Sequence, residues 1–161
     1  MTDAIAIRPA TLADVEFLVE ANAAMAWETE AKRLDLALLE RGVRTVLAQP
    51  ARGFYLIAER VGGAVGGLLI TTEWSDWRCG DWWWIQSVYV RPEARRLGVF
   101  RALYAYVEAQ ARAKPDVVGL RLYVEWENVR AQETYRALGM EQEHYHFFRR
   151  GFSKVDSARS D

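Results

Sequence analysis

The chain has 161 residues, 51% hydrophobic and 27% charged, with a formal net charge of −1. That length fits one domain with a single core, and the near-neutral charge gives no field to steer the protein to nucleic acid or a membrane surface. No apolar run approaches the roughly 18 residues of a spanning helix, MTDAIAIRPA lacks a signal-peptide layout, and a single cysteine, Cys79, excludes an intrachain disulfide and fits the cytoplasm.

In chain order, Ala4 to Arg8 is short and β-friendly. Thr11 suits a helix cap, with Asp14 in the first turn. Val15, Leu18, Val19 and Ala23 follow at helical spacing. A break falls near Trp27 to Lys32, and a second helix runs from about Leu34 to Ala48, ended by Pro50 and Gly53. Phe54 to Val61 reads as a strand, Gly62–Gly63 as a hairpin turn, and Ala64 to Glu73 as the partner strand. Ser75 to Gly80 is polar, so Trp82 to Val90 becomes the third strand of a meander. Gly98 to Ala113 is a helix with Phe100, Leu103, Tyr104, Val107 and Ala111 on one face. Val117 to Val124 is a strand, Asn128 to Leu138 a helix stopped by Gly139, and Glu143 to Arg149 a last strand. The order β-α-α-β-β-β-α-β-α-β predicts an α/β (α+β) fold. Its central sheet is mixed and mostly antiparallel, with helices on both faces.

Two stretches carry chemistry. In Arg95-Arg96-Leu97-Gly98-Val99-Phe100-Arg101, Gly98 allows a tight turn into a helix whose first N–H groups have no partner within it. These donors lie at the positive end of the helix dipole and favour an anion, with Arg95, Arg96 and Arg101 adding charge-assisted donors. A solvated basic helix start reads the same way. In the second stretch, Asn128 sits at an N-cap position, and Tyr135, seven residues on, shares its helix face. Singly, these are also a cap and a core tyrosine.

Together, and in this order, the two stretches resemble the GNAT superfamily of acetyl-CoA-dependent N-acetyltransferases. The family's phosphate loop, Q/R-x-x-G-x-G/A, is matched by Arg95, Gly98 and Phe100, the last a departure from a small residue. Its later helix, N-x-x-A-x-x-x-Y-x-x-x-G-[FM], is matched at every position by Asn128, Ala131, Tyr135, Gly139 and Met140. The resemblance implies one GNAT-like N-acetyltransferase domain over residues 1–152, and the polar composition of 153–161 reads as a disordered tail. It implies that pantetheine pairs along Val88, Tyr89 and Val90, with the Val88 N–H at the thioester carbonyl. The N–H groups of Arg96, Leu97, Gly98, Val99, Phe100 and Arg101 then hold the pyrophosphate, Asn128 holds pantetheine, and Tyr135 protonates the departing thiolate. The expected reaction is direct acetyl transfer from acetyl-CoA to a primary amine of a small molecule or peptide. The alternative is a non-catalytic acyl-CoA-binding regulatory module.

A second departure concerns the general base. The family often places a glutamate where Trp84 or Gln86 stands here, and neither accepts a proton. Glu125, ending the strand before the Asn128 helix, is the best single carboxylate, with a water relay as the alternative. His144 and His146 share a strand face and offer a base or a substrate contact. An H-x-H pair alone lacks the further ligands of a metal site, so no metal is expected.

Five of the seven tryptophans fall between Trp74 and Trp84. Trp82 and Trp84 share a face with Gln86, and Trp83 faces the other way with Ile85. Such tryptophans serve equally as packing or as the walls of an acceptor pocket. With Glu28, Glu30, Glu73, Asp76 and Asp81 on nearby loops, they suggest a cationic amine acceptor, contacted by Trp84, Gln86, Glu30 and Glu73. No nucleic-acid or membrane partner is expected, and exposed aromatic edges allow a homodimer.

Overall fold

A polar clamp starts the fold. In the computed structural model, which describes residues 4–152, the Thr11 N–H donates to the Asp14 carboxylate at 2.7 Å while the Thr11 hydroxyl accepts from the Ala13 N–H. Asp14 is buried and also receives both arms of the Arg8 guanidinium at 2.8 Å; Arg8 reaches Glu59 at 2.6 Å as well. This joins strand β1 (Ala6–Pro9) to helix α1 (Val15–Glu30) and to strand β2 (Phe54–Arg60). Helix α1 ends where Ala31 turns left-handed at φ 50°. Helix α2 (Leu36–Ala48) then begins on Asp35, whose carboxylate accepts from the Ala37 and Leu38 N–H groups.

The Arg8 hydrogen bonds hold the Asp14 carboxyl below its ordinary value near 3.8, against the opposing effect of burial. A lowered folded-state pKa contributes stability that is complete above the unfolded pKa and lost as pH falls through the folded one. Asp14→Asn is therefore expected to destabilise the protein by about 1–2 kcal/mol at pH 7. The gap to the parent should close as urea titrations are repeated below about pH 4.

Strand β3 (Gly63–Ser75), strand β4 (Gly80–Val90), helix α3 (Val99–Arg112) and strand β5 (Val117–Arg121) follow. The sheet order is β1-β2-β3-β4-β5, antiparallel through β4, with β5 parallel to β4 after the α3 crossover. Alternation divides the apolar residues between two faces. Tyr55, Ile57 and Leu69 meet Val15, Leu18, Leu39 and Val43 of α1 and α2. Leu56, Leu68, Ile70, Trp83 and Ile85 point to the other face and are buried there with Val99, Leu103 and Val107 of α3. Trp83 also makes an edge contact with Phe54 at 5.1 Å.

The expected mixed, mostly antiparallel sheet with helices on both faces is present. The residues form two units, one through Tyr123 and the other from Val124. The second holds helix α4 (Val129–Ala137), ended at Gly139 with φ 87°. The strand expected over Glu143 to Arg149 does not form. Alternating aromatics there satisfy the pattern, but a strand needs a ladder partner, and no other strand lies in that unit among the described residues. Tyr145, Phe147 and Phe148 are exposed. The tail expected to be disordered, 153–161, lies outside the described residues. Among the described residues no helix is long and apolar enough to cross a membrane.

Candidate active site

Strand β4 carries an extra residue. Ile85 pairs with Ile70 and Ser87 with Leu69, so Gln86 is bulged out. Its side-chain amide donates to the Thr71 hydroxyl at 2.9 Å. A bulge re-aims the strand beyond it. From Ser87 on, the ladder alternation is set by Arg91, whose N–H donates to the Val65 carbonyl at 2.8 Å. Counting back, Tyr89 and Ser87 bond to β3, while Val88 and Val90 turn their N–H and C=O groups to the other edge. The β5 ladder covers only Asp81 to Trp84 on that edge. The backbone donors at Val88 and Val90 therefore face a stretch of edge that β5 has left, a place where an extended chain can add on.

The loop after β4 delivers a second group of donors. Arg96 is left-handed at φ 65° and Gly98 at φ 84°, which together wind the chain into α3. For Arg96 such a conformation costs on the order of 1 kcal/mol or more, a strain typical of functional loops. No side chain caps α3, and its first internal bond is from the Ala102 N–H to the Gly98 carbonyl at 3.0 Å. The Val99, Phe100 and Arg101 N–H groups are thus presented to an anion. Phe100 does not lead the buried stripe. Val99 occupies that place, and Phe100 is half-buried with its ring 6.2 Å from Tyr104.

Arg95, expected to meet phosphate, is turned the other way. It donates to the Val90 carbonyl at 3.0 Å and to Glu28 at 2.6 Å, and lies 5.7 Å from the Tyr89 ring. Next to it Arg91 donates to the Ala64 carbonyl, forks onto Glu20 and covers Phe17. These two arginines brace the loop against α1. The exposed Arg96 and Arg101 remain as its forward cations.

In the second unit, the Asn128 side-chain oxygen accepts from the Ala131 N–H at 3.1 Å, the N-cap role, and its amide N–H₂ remains able to donate. Tyr135 lies half-buried two turns along α4, and burial raises its phenol above the ordinary 10.0. The group is therefore kept as an O–H, the form a proton donor needs. Glu125 offers an exposed carboxylate, while its carbonyl accepts from the Asn128 N–H and the Gln132 amide. His144 stacks on Tyr145 at 4.9 Å outside any strand. Among the described residues no cluster suits a metal ion.

The tryptophan face is more ordered than alternation alone conveys. The register aligns Thr71, Trp84 and Arg121 in one row, and Glu73, Trp82 and Gly119 in the next. Glu73 receives the Trp84 indole N–H at 3.1 Å on one oxygen and Arg121 at 2.7 Å on the other. The Arg121 guanidinium lies 4.1 Å from the centre of the Trp82 ring. Gly119 permits this, because a Cβ there would stand 2.5 Å from the Trp82 ring. The Tyr123 ring leans on Trp84 at 6.3 Å. Glu73 is thus already paired, and Glu28 likewise, whereas Glu30 is exposed at the end of α1. Sequence reading missed Arg121 and Tyr123. The alternation of Gly119, Arg121 and Tyr123 along and just past β5, in phase with Trp82 and Trp84, was the available signal.

Residues 14–140 match the acetyltransferase (GNAT) family. Among solved structures, a possible acetyltransferase from Clostridium difficile 630 is 38% identical, with TM-score 0.87, covering 92% of this chain and 98% of its own. An aminoglycoside N-acetyltransferase, AAC(6')-Iy, in complex with CoA is 19% identical, with TM-score 0.76 and 94% and 97% covered. A ribosomal-protein-alanine N-acetyltransferase from Brucella melitensis biovar Abortus 2308 is also 19% identical, with TM-score 0.74 and 93% and 100% covered. No curated protein matches. The chain belongs to the GNAT acetyltransferase family. It is an acyltransferase with acetyl-CoA as co-substrate.

Proposed function

We propose that the protein transfers acetyl directly from acetyl-CoA to a primary amine. The observation that carries this is the bulge at Gln86, followed by β4 donors beyond the reach of the β5 ladder among the described residues, and an uncapped helix start. Pantetheine pairs along Val88, Tyr89 and Val90, and the N–H groups from Arg96 through Leu97, Gly98, Val99 and Phe100 to Arg101 take the pyrophosphate. Arg95 acts through the loop by bracing it. Asn128 donates its amide to pantetheine.

The amine lone pair attacks the thioester carbonyl carbon, and the Val88 N–H stabilises the oxyanion. The C–N bond forms, the C–S bond breaks, and Tyr135 gives its phenolic proton to the thiolate. The amine proton passes to Glu125 or through water to solvent. Trp84, Gln86 and Glu30 contact the acceptor, and Glu73 acts on it by fixing Trp84 and Arg121. Cys79, free and exposed in the β3–β4 turn, forms no acetyl-enzyme.

Thiol release from acetyl-CoA across a panel of polyamines, amino acids, aminoglycosides and peptides tests the reaction. Acetylated amine in step with thiol is expected, and an acetyl-enzyme trapped on Cys79 would overturn direct transfer. Arg95→Ala should raise the acetyl-CoA KM several-fold, about 1 kcal/mol of lost positioning, with kcat nearly unchanged.

A further inference from the structure

We propose that Arg121 is the anchor for a carboxylate on the acceptor. The amine that reacts then belongs to an amino acid or short peptide with its amine several bonds from that carboxylate. This rests on the acetyl-transfer reading and names its substrate class. The tryptophan face, read from sequence, suggested a site for a cation, because aromatic rings and carboxylates attract ammonium groups. In the fold that place is already filled from within. The Arg121 guanidinium covers Trp82 at 4.1 Å, and Glu73 has one oxygen on Arg121 and the other on Trp84. A polycation arriving here meets a spent carboxylate and an occupied ring.

What the face still offers is donors. Only one terminal nitrogen of Arg121 is used, by Glu73, so Nε and the second terminal nitrogen have no acceptor among the described residues. Its side chain is only 28% exposed, so an incoming carboxylate is held where water competes less. A second guanidinium, Arg78, lies 5.2 Å from the same Trp82 ring and has no carboxylate partner among the described residues. The planar fork of arginine matches a carboxylate bidentately. Packing on Trp82 pre-orients that fork, so little freedom is lost on binding.

Register sets the length of the acceptor. Arg121 stands beside Trp84 in the register, but its guanidinium reaches back over Trp82, and from Trp82 to Val88 is six residues, one of them the bulged Gln86. The five remaining steps at strand rise come to about 17 Å. An α-amine cannot bridge such a span from its own carboxylate, and an extended lysine or ornithine covers just under half of it, leaving the rest to the contacts at either end, whereas the N-terminus of a short peptide, at about 3.3–3.6 Å per residue, reaches across it.

Calorimetric binding of lysine, ornithine and glycyl peptides, each against its own carboxamide, reads the carboxylate directly and needs no turnover. The parent should bind at least one acid roughly tenfold or more tightly than its amide, as for a charged hydrogen-bonded pair. Arg121→Gln should abolish that preference without weakening the amide. Glu73→Gln, whose amide oxygen can still hold Trp84 or Arg121 in place, should tighten the acid several-fold, since it removes the charge that competes for the fork. A role for the pair in stability alone predicts no such gain. If no acid outbinds its amide, or Glu73→Gln weakens the acids, the anchor is wrong, even where thiol release proves acetyl transfer to other amines. If acids show the preference but release no thiol, the anchor stands and the acetyl-transfer reading fails.

Discussion

Tyr135→Phe is expected to lower kcat by about 10²-fold or more, the usual contribution of a positioned acid, while acetyl-CoA binding stays within about twofold. The substitution removes one oxygen and keeps the ring, so packing on α4 is preserved. Equilibrium binding of CoA beside steady-state thiol release separates the two effects. A pure binding role for the tyrosine predicts equal losses in both. The pH profile adds a second check. Burial raises the Tyr135 phenol above 10.0, so its proton is retained throughout neutral and mildly alkaline solution. Any loss of kcat assigned to Tyr135 deprotonation should therefore begin above pH 10, and a limb well below that must belong to another group.

Leu103→Ala is expected to destabilise the fold by about 2–5 kcal/mol, the range for truncating a fully buried leucine. Leu103 is 0% exposed and lies one turn into α3, between Val99 and Val107, which are also buried. The same seam aims the uncapped first turn of α3, so acetyl-CoA affinity should fall along with the urea midpoint. Excess acetyl-CoA should recover part of the stability, because a ligand bound only by the folded state shifts the balance toward it. A midpoint unchanged by the substitution would mean that α3 is not seated by this face.

Much of the local structure at the proposed cofactor site was legible from residues alone, because its signals are local. A left-handed glycine, a helix start without a cap, and an asparagine at a helix N-cap each act over three or four residues. Gln86 shows where legibility ended. Its place on the Trp84 face was readable by alternation, but the bulge that re-aims Val88 exists only in the register of β4 against β3. The strand expected over Glu143 to Arg149 failed for a related reason. Alternating aromatics describe a face, and a strand needs a neighbour as well.

Charge partners divide in the same way. Asp14 beside Thr11 was readable as a helix start, and the sequence by itself determined the caps, the helix and strand periods, the meander, and the two motifs that mark the family. Arg95 was read as a phosphate ligand, yet it pairs with Glu28, 67 residues away. Glu73 is expected from the sequence to contact a cationic acceptor, yet Arg121, 48 residues on, already neutralises it. Only the tertiary structure decided which arginines brace and which face outward, and that the tryptophan face holds its own cation. Propensity and capping are properties of neighbouring residues along the chain. Pairing is decided by which distant segments a sheet brings side by side.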